Sequence, residues 1–170
     1  MPGYTKRLGR ELSDLKTNPA VGISVFQADD FRIWLIDIQV MDDNPLYVGK
    51  TFRLQFRFTP TYPIEAPEVQ FIRSLGREIP MHPHIYSNGH ICLGKDLELH
   101  EMYLQQIIIM IDVLGSGWSP IQTVGSVSMS IQSMLAGNDR NERPPDDARY
   151  VASAPISPKQ TRFVYHDDNV

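Results

Sequence analysis

Residues 51–71 read TFRLQFRFTPTYPIEAPEVQF, and this stretch decides the fold class. Its first half alternates apolar side chains with other residues, the apolar positions being Phe52, Leu54, Phe56 and Phe58. Such alternation is typical of a strand with one buried face. The second half carries Pro63 and Pro67, which exclude a helix and predict an extended loop. Val69 and Phe71 mark a further short strand, so the stretch predicts two strands separated by a rigid loop.

Two more strands are predicted on the N-terminal side of this stretch. Residues 23–26 form a short apolar run. Within residues 31–41, the alternating apolar positions are Trp34, Ile36, Ile38 and Val40. Residues 42–45, DDNP, then predict a turn. Four strands joined by turns favour an antiparallel meander that has one face covered by helix.

Helical periodicity precedes the strands. In residues 5–16, Leu8, Leu12 and Leu15 recur at helical spacing on one stripe. Polar residues, Glu11 among them, fill the other faces. This pattern predicts a surface helix that buries one apolar stripe.

A second helix is predicted after the strands. Ser119 is a capping residue, Pro120 suits the first helical position, and Gln122 stands three residues after the cap. An apolar stripe follows, made of Val124, Val127, Ser128, Ile131, Met134 and Leu135. Gly137 predicts the end of the helix. The chain beyond it is polar and punctuated by prolines.

Length, composition and charge limit the classes of protein. The chain has 170 residues, of which 42% are hydrophobic and 21% charged, values typical of one globular domain. We assign residues 1–150 to a core domain and residues 151–170 to a polar tail that either docks or is mobile. The net charge of −4 disfavours nucleic acid as a partner, because nucleic-acid binding needs a basic stripe. No stretch has the apolar length of a signal peptide or membrane span, so we expect no membrane partner and a cytoplasmic or nuclear location.

The chemistry is concentrated in residues 81–93, MHPHIYSNGHICL, which hold three of the five histidines and the only cysteine. The irregular, polar setting favours a reactive thiol over an inert buried one. A zinc site is one alternative, with possible ligands His82, His84, His90 and Cys92, but the spacing fits common zinc patterns poorly. A Cys–His protease is another, and it needs a third group to orient the histidine, which the sequence does not identify.

Four short motifs together resemble the ubiquitin-conjugating enzymes. They are YPIEAP at residues 62–67, HPH at 82–84, NGHICL at 88–93 and WSP at 118–120. The resemblance covers roughly residues 5–150. It implies the α+β ubiquitin-conjugating fold, with an N-terminal helix, a four-stranded antiparallel meander, a loop carrying the catalytic cysteine, a central helix and a helical or irregular C-terminal tail.

The W-type branch of that family is matched in further detail. Most members have asparagine at the third position of the tripeptide, where this chain has His84. That histidine, the tract YSNGHICL at 86–93, the RPPD loop at 143–146 and the YHDD sequence at 165–168 all resemble W-type enzymes. These enzymes are known for attaching ubiquitin to protein N-termini.

The resemblance implies a role for each matched residue. Cys92 would receive ubiquitin as a thioester from an activating enzyme and pass it to an amine. His84 or Asn88, or backbone N–H groups, would stabilise the oxyanion of the tetrahedral intermediate. His82 and Pro83 would hold the loop in shape. The face that binds a ubiquitin ligase of the RING or U-box type would contain Lys6, Arg10, Tyr62, Pro63, Ser119 and Pro120.

The implied partners are ubiquitin, its activating enzyme, a ligase and protein substrates with flexible N-termini. Neither a metal nor a small-molecule cofactor is implied, since ATP serves the activating enzyme. The kind of substrate amine explains how His84 can stand where most of the family has asparagine. An α-amino group has a pKa of about 7.7–8.0, against about 10.4 for lysine, so more of it is deprotonated near neutral pH. From His84 and the C-terminal tail that matches W-type enzymes, we expect N-terminal monoubiquitination.

Residues 94–111 depart from the family pattern, which usually places the tryptophan about ten residues after the cysteine. Here Cys92 and Trp118 are 26 residues apart. The extra segment, GKDLELHEMYLQQIIIMI, has three interpretations: an acidic loop, a helix, or an in-frame retained intron of 18 codons. Its apolar end predicts lower solubility and impaired ubiquitin charging relative to a deletion form. A catalytically impaired, conjugating-like binding module is therefore the alternative function.

Overall fold

The computed structural model describes residues 3–92 and 118–161. Helix α1 (Gly3–Thr17) precedes four strands, β1 (Ile23–Gln27), β2 (Ile33–Gln39), β3 (Thr51–Arg57) and β4 (Glu68–Phe71). Helices α2 (Val124–Ala136) and α3 (Asp147–Ser153) and a 3-10 helix (Pro158–Gln160) follow. The strands form one antiparallel sheet in the order β1-β2-β3-β4. The predicted α+β class and the four-stranded meander are confirmed.

The core lies between α2 and one face of the sheet. The register of β2 against β3 pairs Trp34 with Phe56, Ile36 with Leu54, and Ile38 with Phe52. All six side chains are at most 4% exposed. The predicted stripe of α2 is buried against this face along its whole length. The alternation in the strands and the stripe in the helix therefore predicted the core correctly.

The opposite face of the sheet carries a buried ion pair, where the alternation predicted only polar positions. Asp37 on β2 and Arg53 on β3 are register partners. Nε and Nη2 of Arg53 donate to the two carboxylate oxygens of Asp37 over 2.7 and 3.0 Å. The ring of Phe26 covers the guanidinium, with 3.4 Å between the ring centroid and Cζ. Only 2% of Arg53 and 7% of Asp37 is exposed, so this face is also partly closed to water.

Helix α2 begins later than the sequence predicted. Residues 119–122 form a single turn instead, closed by an N–H···O bond of 2.9 Å between its two ends. The N-cap is Thr123, whose Oγ1 accepts from Ser126 N while Ser126 Oγ accepts from Thr123 N. The first amide of the helix, on Val124, donates to the carboxylate of Glu11 over 2.8 Å. A residue on α1 therefore fixes the start of α2, and local capping rules do not take such a partner into account.

The proline loop between β3 and β4 is a tight turn, where an extended loop was predicted. The N–H of Ile64 donates to the carbonyl of Thr61 over 2.8 Å, and the peptide bond between Tyr62 and Pro63 is cis. The Thr61 hydroxyl donates to the carboxylate of Glu65 over 2.6 Å. This side-chain bond closes the turn, and the positions of the prolines alone do not reveal it.

Helix α3 crosses the predicted domain boundary between residues 150 and 151, because it spans Asp147–Ser153. Residues 154–161 then form a segment that we call the strap, which packs against β4. Within it, the Ser157 hydroxyl donates to the carboxylate of Glu68 over 2.5 Å. Residues 151–161 of the predicted tail are therefore part of the folded unit.

Two sequence predictions lie outside the described residues. They concern segment 94–111, with its three interpretations, and the YHDD sequence at 165–168. Within residues 3–92 and 118–161, no helix combines the length and the apolar character that a membrane span needs.

Candidate active site

The loop that carries Cys92 folds back on itself through backbone hydrogen bonds. The N–H of Cys92 donates to the carbonyl of His84 over 2.8 Å, and the N–H of Tyr86 donates to the carbonyl of His90 over 2.9 Å. Cys92 is half-buried. These bonds bring the backbone of His84 beside that of Cys92, so two of the predicted catalytic residues are neighbours in space.

Gly89 anchors this loop against the end of β4. Its φ is +91°, a conformation that side chains rarely adopt, and its carbonyl accepts from the N–H of Phe71 over 2.9 Å. A Cβ atom on Gly89 would lie only 1.9 Å from the carbonyl oxygen of Phe71. Glycine is therefore required here both by the backbone angle and by the close approach of β4.

Gly89→Ala is expected to lower the free energy of unfolding by about 3 kcal/mol, as backbone strain and a steric clash combine. Gly76→Ala is the matched control, because Gly76 also has a positive φ of +78° but an added Cβ would meet nothing within 4 Å. That change should cost only about 1 kcal/mol. Urea unfolding of both variants gives the comparison, and equal losses would contradict the clash.

His82 hydrogen-bonds to its own loop and to helix α2. Its Nδ1 accepts from the N–H of His84 over 2.9 Å, and the ring also bonds to the backbone of Met134 on α2. Burial, and to a smaller degree the proximity of His84, lowers the pKa of His82 to about 3. The ring is therefore neutral at physiological pH, and it connects the active-site loop to the central helix.

The buried histidines predict how stability depends on pH. The folded-state pKa of His82 is about 3, below the unfolded value of 6.5, so the unfolded chain takes up its proton first as pH falls. The stability is fully present above pH 6.5 and is lost progressively down to about pH 3. Between pH 7 and 5 we expect a loss of about 2 kcal/mol from His82 alone. Burial also lowers the pKa of His84 and of His90, which adds in the same direction.

Urea unfolding at pH 7, 6 and 5 measures this dependence. His82→Gln, which keeps a donor and an acceptor but cannot titrate in this range, should show a shallower slope than the natural chain. Parallel slopes for the two proteins would exclude His82 as the titrating group.

The two predicted oxyanion donors differ in their surroundings. His84 is partly buried, and burial followed by the charge of Arg140 lowers its pKa below 6.5, so its ring is neutral at pH 7. A neutral ring has one N–H that can donate. The Oδ1 atom of Asn88 accepts from the N–H of His90 over 3.1 Å. The oxygen of Asn88 thus stabilises the loop, and only its NH2 group has the chemistry of a donor.

Tyr86 and Asp146 also belong to this site, and the sequence prediction gave neither of them a role. The Tyr86 hydroxyl donates to Oδ1 of Asp146 over 3.2 Å and also hydrogen-bonds with Cys92. Burial, then the charges of Cys92 and Asp146, raise the pKa of Tyr86 well above its usual value, so the hydroxyl stays protonated. Both residues lie in tracts that the family resemblance quoted, but a separation of 60 residues gives no local signal of their contact.

The predicted zinc ligands do not form a metal cluster in the described part of the chain. Among residues 3–92 and 118–161, no group of three or more histidine, cysteine, aspartate or glutamate side chains is arranged to hold a metal ion. His82 Nδ1 accepts a backbone N–H, and His90 Nδ1 bonds to the hydroxyl of Tyr150 over 2.8 Å. These nitrogens stabilise the fold around the loop.

The predicted ligase-binding residues lie on α1, on the proline turn and on the turn before α2. Lys6, Arg10 and Pro120 are exposed, and Pro63 and Ser119 are half-buried. The Nε1–H of Trp118 donates to the carbonyl of Pro63 over 2.8 Å and so joins the two turns. Two apolar side chains that the sequence prediction missed project from these turns, Ile64 at 78% and Ile121 at 85% exposure.

Tyr62 is buried, whereas its predicted contact with a ligase would need an exposed side chain. It is only 3% exposed, and its hydroxyl donates to the carboxylate of Glu11 over 2.7 Å. Glu11 also accepts from Nε of Arg7 over 2.6 Å and from the N–H of Val124. Tyr62 therefore supports the proline turn from beneath, and Glu11, predicted on a polar face of α1, is a buried centre that joins α1, the turn and α2.

The comparisons with known proteins agree with this arrangement. The family described as "Ubiquitin-conjugating enzyme" matches residues 7–163 of the chain. The chain belongs to the ubiquitin-conjugating enzyme family. A relative from Dictyostelium discoideum, "Probable ubiquitin-conjugating enzyme E2 W", is 43% identical over 98% of this chain and 97% of its own length. "Ubiquitin-conjugating enzyme E2 W" from Caenorhabditis elegans is 40% identical over 98% of this chain and 97% of its own length.

Solved structures give the same result for the fold. The crystal structure of the ubiquitin-conjugating enzyme UbcA1 from Agrocybe aegerita matches with a TM-score of 0.78 and 41% identity, over 93% of this chain and 99% of that one. The predicted ubiquitin-conjugating fold and the W-type resemblance are confirmed. As a member of this family, the chain is a transferase that acts through a cysteine thioester, and its partners are ubiquitin, an activating enzyme and ubiquitin ligases.

Proposed function

We propose that Cys92 carries ubiquitin as a thioester and transfers it to the α-amino group of flexible protein N-termini. The observation that carries this proposal is the backbone hydrogen bond from Cys92 to His84, a histidine of lowered pKa at the position where most of the family has asparagine. Cys92 is also the only cysteine in the sequence, so no other thiol can form the thioester. The expected location is the cytoplasm, the nucleus or both.

The transfer divides into two exchanges at one sulfur atom. The thiolate of Cys92 attacks the carbonyl that links ubiquitin to the activating enzyme, and the activating enzyme leaves as a thiolate. The amine of the substrate then attacks the new thioester. Its tetrahedral intermediate carries an oxyanion, for which the ring N–H of His84 is the proposed donor and the NH2 group of Asn88 a second one. The attack forms the C–N bond, and collapse of the intermediate breaks the C–S bond, so that Cys92 leaves as a thiolate and the proton lost by the amine passes to solvent.

An α-amino group is the proposed acceptor because the amine that attacks in the second exchange must be deprotonated. At neutral pH a larger fraction of α-amino groups is already deprotonated than of lysine side chains, whose pKa is about 10.4. The site then needs less help from a general base. The neutral ring of His84 supplies an N–H donor, and its lowered pKa makes it a weak base. The protonated hydroxyl of Tyr86 donates to Asp146 and does not take a proton from the incoming amine.

The test is single-turnover discharge of the ubiquitin thioester to two peptides at pH 7. One peptide has a free N-terminus and no lysine; the other is N-acetylated and contains one lysine. We expect transfer to the first to be at least about tenfold faster, as the difference in pKa indicates. Mass spectrometry of a protein substrate identifies the linkage, and an internal lysine as the dominant site would overturn the N-terminal assignment.

We also propose that a RING or U-box ligase binds the face formed by Lys6, Arg10, Pro63, Ser119 and Pro120. The exposed side chains of Ile64 and Ile121 add apolar area to this face. Ile64→Ser should reduce ligase-stimulated discharge while leaving the unstimulated discharge unchanged. Ile156→Ser is the matched control, because Ile156 is 84% exposed on the strap. Equal ligase stimulation of both variants would exclude Ile64 from the interface.

The catalytically impaired binding module is the second candidate function, favoured by the 26-residue separation of Cys92 and Trp118. Charging of the full chain is compared with charging of a form that lacks residues 94–111. Impaired charging and lower solubility of the full chain alone are expected if the segment interferes. Equal charging and solubility would eliminate this candidate.

Sequencing of the mature transcript tests the intron interpretation, since uniform presence of the 18 codons would reject it.

A further inference from the structure

The proposed ligase-binding face is assembled from three elements that are distant in sequence. Lys6 and Arg10 lie on α1, Ile64 lies in the proline turn, and Ile121 lies in the turn before α2. A ligase that contacts all of them needs the three elements at a fixed spacing, because ordering a surface at the moment of binding costs affinity. The contacts beneath the face therefore bear on how tightly a ligase binds.

The carboxylate of Glu11 lies beneath this face and joins its three elements. Its Oε1 atom accepts from the Tyr62 hydroxyl over 2.7 Å and from Nε of Arg7 over 2.6 Å. Its Oε2 atom accepts from the N–H of Val124 over 2.8 Å. Arg7 adds a further link, since its Nη2 donates to the carbonyl of Gln122 over 2.9 Å. One side chain thus connects α1 with both turns.

The bonds to Glu11 are made close to the two exposed isoleucines. Tyr62 stands two residues before Ile64, and Val124 stands three residues after Ile121. The Val124 amide is the first of its helix, where no carbonyl of the same helix is available to accept from it. Tyr62 is 3% and Val124 1% exposed, so water cannot readily replace the carboxylate as acceptor. Without Glu11 both buried donors lose this acceptor, and the two turns move to find others.

We infer that Glu11 is a positioning residue for ligase binding, which holds Ile64 and Ile121 at a fixed spacing from the cations of α1. This inference rests on the proposed ligase-binding face. Glu11 is only 5% exposed, so a ligase does not contact it and its effect passes through the elements that it joins. If only a fraction of the chain has the three elements correctly spaced, the apparent affinity for a ligase falls by that fraction.

A positioning role and a general role in folding predict different kinetics. A residue that only supports the fold lowers the fraction of active chain, which reduces the maximal rate of discharge. Loss of a positioning residue raises the ligase concentration needed for half-maximal stimulation and leaves the chemistry at Cys92 unchanged. The loop of Cys92 is anchored elsewhere, to β4 through Gly89 and to α2 through His82.

The experiment titrates a ligase against the charged chain. The full chain is charged with ubiquitin by the activating enzyme and ATP, the ATP is removed, and a RING-domain ligase that stimulates the natural chain is added at increasing concentration. Discharge to a peptide with a free N-terminus is followed. Glu11→Gln is the main variant, because it keeps the shape of the side chain but has one acceptor oxygen instead of two. Asp14→Asn is the matched control, since it removes the same charge from an exposed position of α1.

Glu11→Gln should raise the half-maximal ligase concentration about fivefold, with the unstimulated and maximal rates within about twofold of the natural chain. Asp14→Asn should leave that concentration within about 1.5-fold, because an exposed charge is screened by salt. Tyr62→Phe keeps the buried ring but removes one of the three bonds, and it should raise the concentration about two- to threefold. It also serves as the test if Glu11→Gln does not fold.

Three results would overturn the inference. One is a half-maximal concentration that neither Glu11→Gln nor Tyr62→Phe changes. Another is a fall in the maximal rate alone, which indicates a role in folding only. The third is an equal shift for Asp14→Asn, which indicates that the lost charge is sufficient. Unchanged ligase stimulation of Ile64→Ser is a different outcome, because it refutes the proposed face itself, and the inference then falls with it.

Discussion

Replacement of Cys92 by alanine is expected to abolish the ubiquitin adduct that the natural chain forms with activating enzyme, ubiquitin and ATP. The thioester needs a thiol, and the sequence contains no second cysteine. The loss should therefore be complete, below the detection limit of a gel that resolves a change of one ubiquitin. Substitutions that leave the reacting sulfur of Cys92 in place are expected to have smaller effects.

The chemical nature of the adduct is tested with Cys92→Ser. A hydroxyl is a weaker nucleophile than a thiolate at neutral pH, so charging should be slower. The product would be an oxygen ester that survives a thiol reductant, whereas the thioester of the natural chain is cleaved by it. Ser153→Ala is the matched control, because Ser153 is an exposed residue of α3 whose hydroxyl donates to the carbonyl of Arg149 in the same helix. An adduct on the Cys92→Ala protein would contradict the assignment of Cys92.

Local sequence patterns predicted those parts of the fold that depend on neighbours along the chain. Alternation located Trp34 and Phe56 in the core, and helical spacing located Leu8 and Leu15. Both patterns arise because the side chains of a strand or a helix return to the same face at a fixed interval, and that face packs against the apolar core. The family motifs then identified the loop around Cys92, which has no periodic pattern of its own.

Several of the missed features depend on partners far away in the sequence. Glu11 lies on a polar face by local spacing, yet it is buried because Tyr62 and Val124 donate to it across separations of 51 and 113 residues. Tyr150 is a further case, since it is separated from its partner His90 by 60 residues. Such contacts appear only once the fold brings the elements together, so a pattern with a short period cannot contain them.

The ion pair between Asp37 and Arg53 gives the largest expected change in stability. Arg53→Met leaves the carboxylate of Asp37 buried beside an apolar side chain. Loss of one partner from a buried pair costs about 3–5 kcal/mol, since the remaining charge keeps its desolvation penalty without its main partner. That is a large part of the 5–15 kcal/mol by which a typical domain is stable. The cation–π contact with Phe26 is lost as well, which adds to the cost.

Urea unfolding measures the free energy for Arg53→Met, for Asp37→Leu and for the double variant. Because the double variant removes both buried charges and leaves only the more exposed Arg77 without its 3.4 Å contact to Asp37, we expect it to recover most of the loss caused by either single change. Arg57→Met is the matched control on the same strand, as Arg57 is half-buried and bonds to Gln55 rather than to a buried carboxylate. It should cost less than about 1 kcal/mol. A double variant as unstable as the sum of its two single changes would show that the two charges contribute independently, and the interpretation of this pair as a coupled buried unit would be wrong.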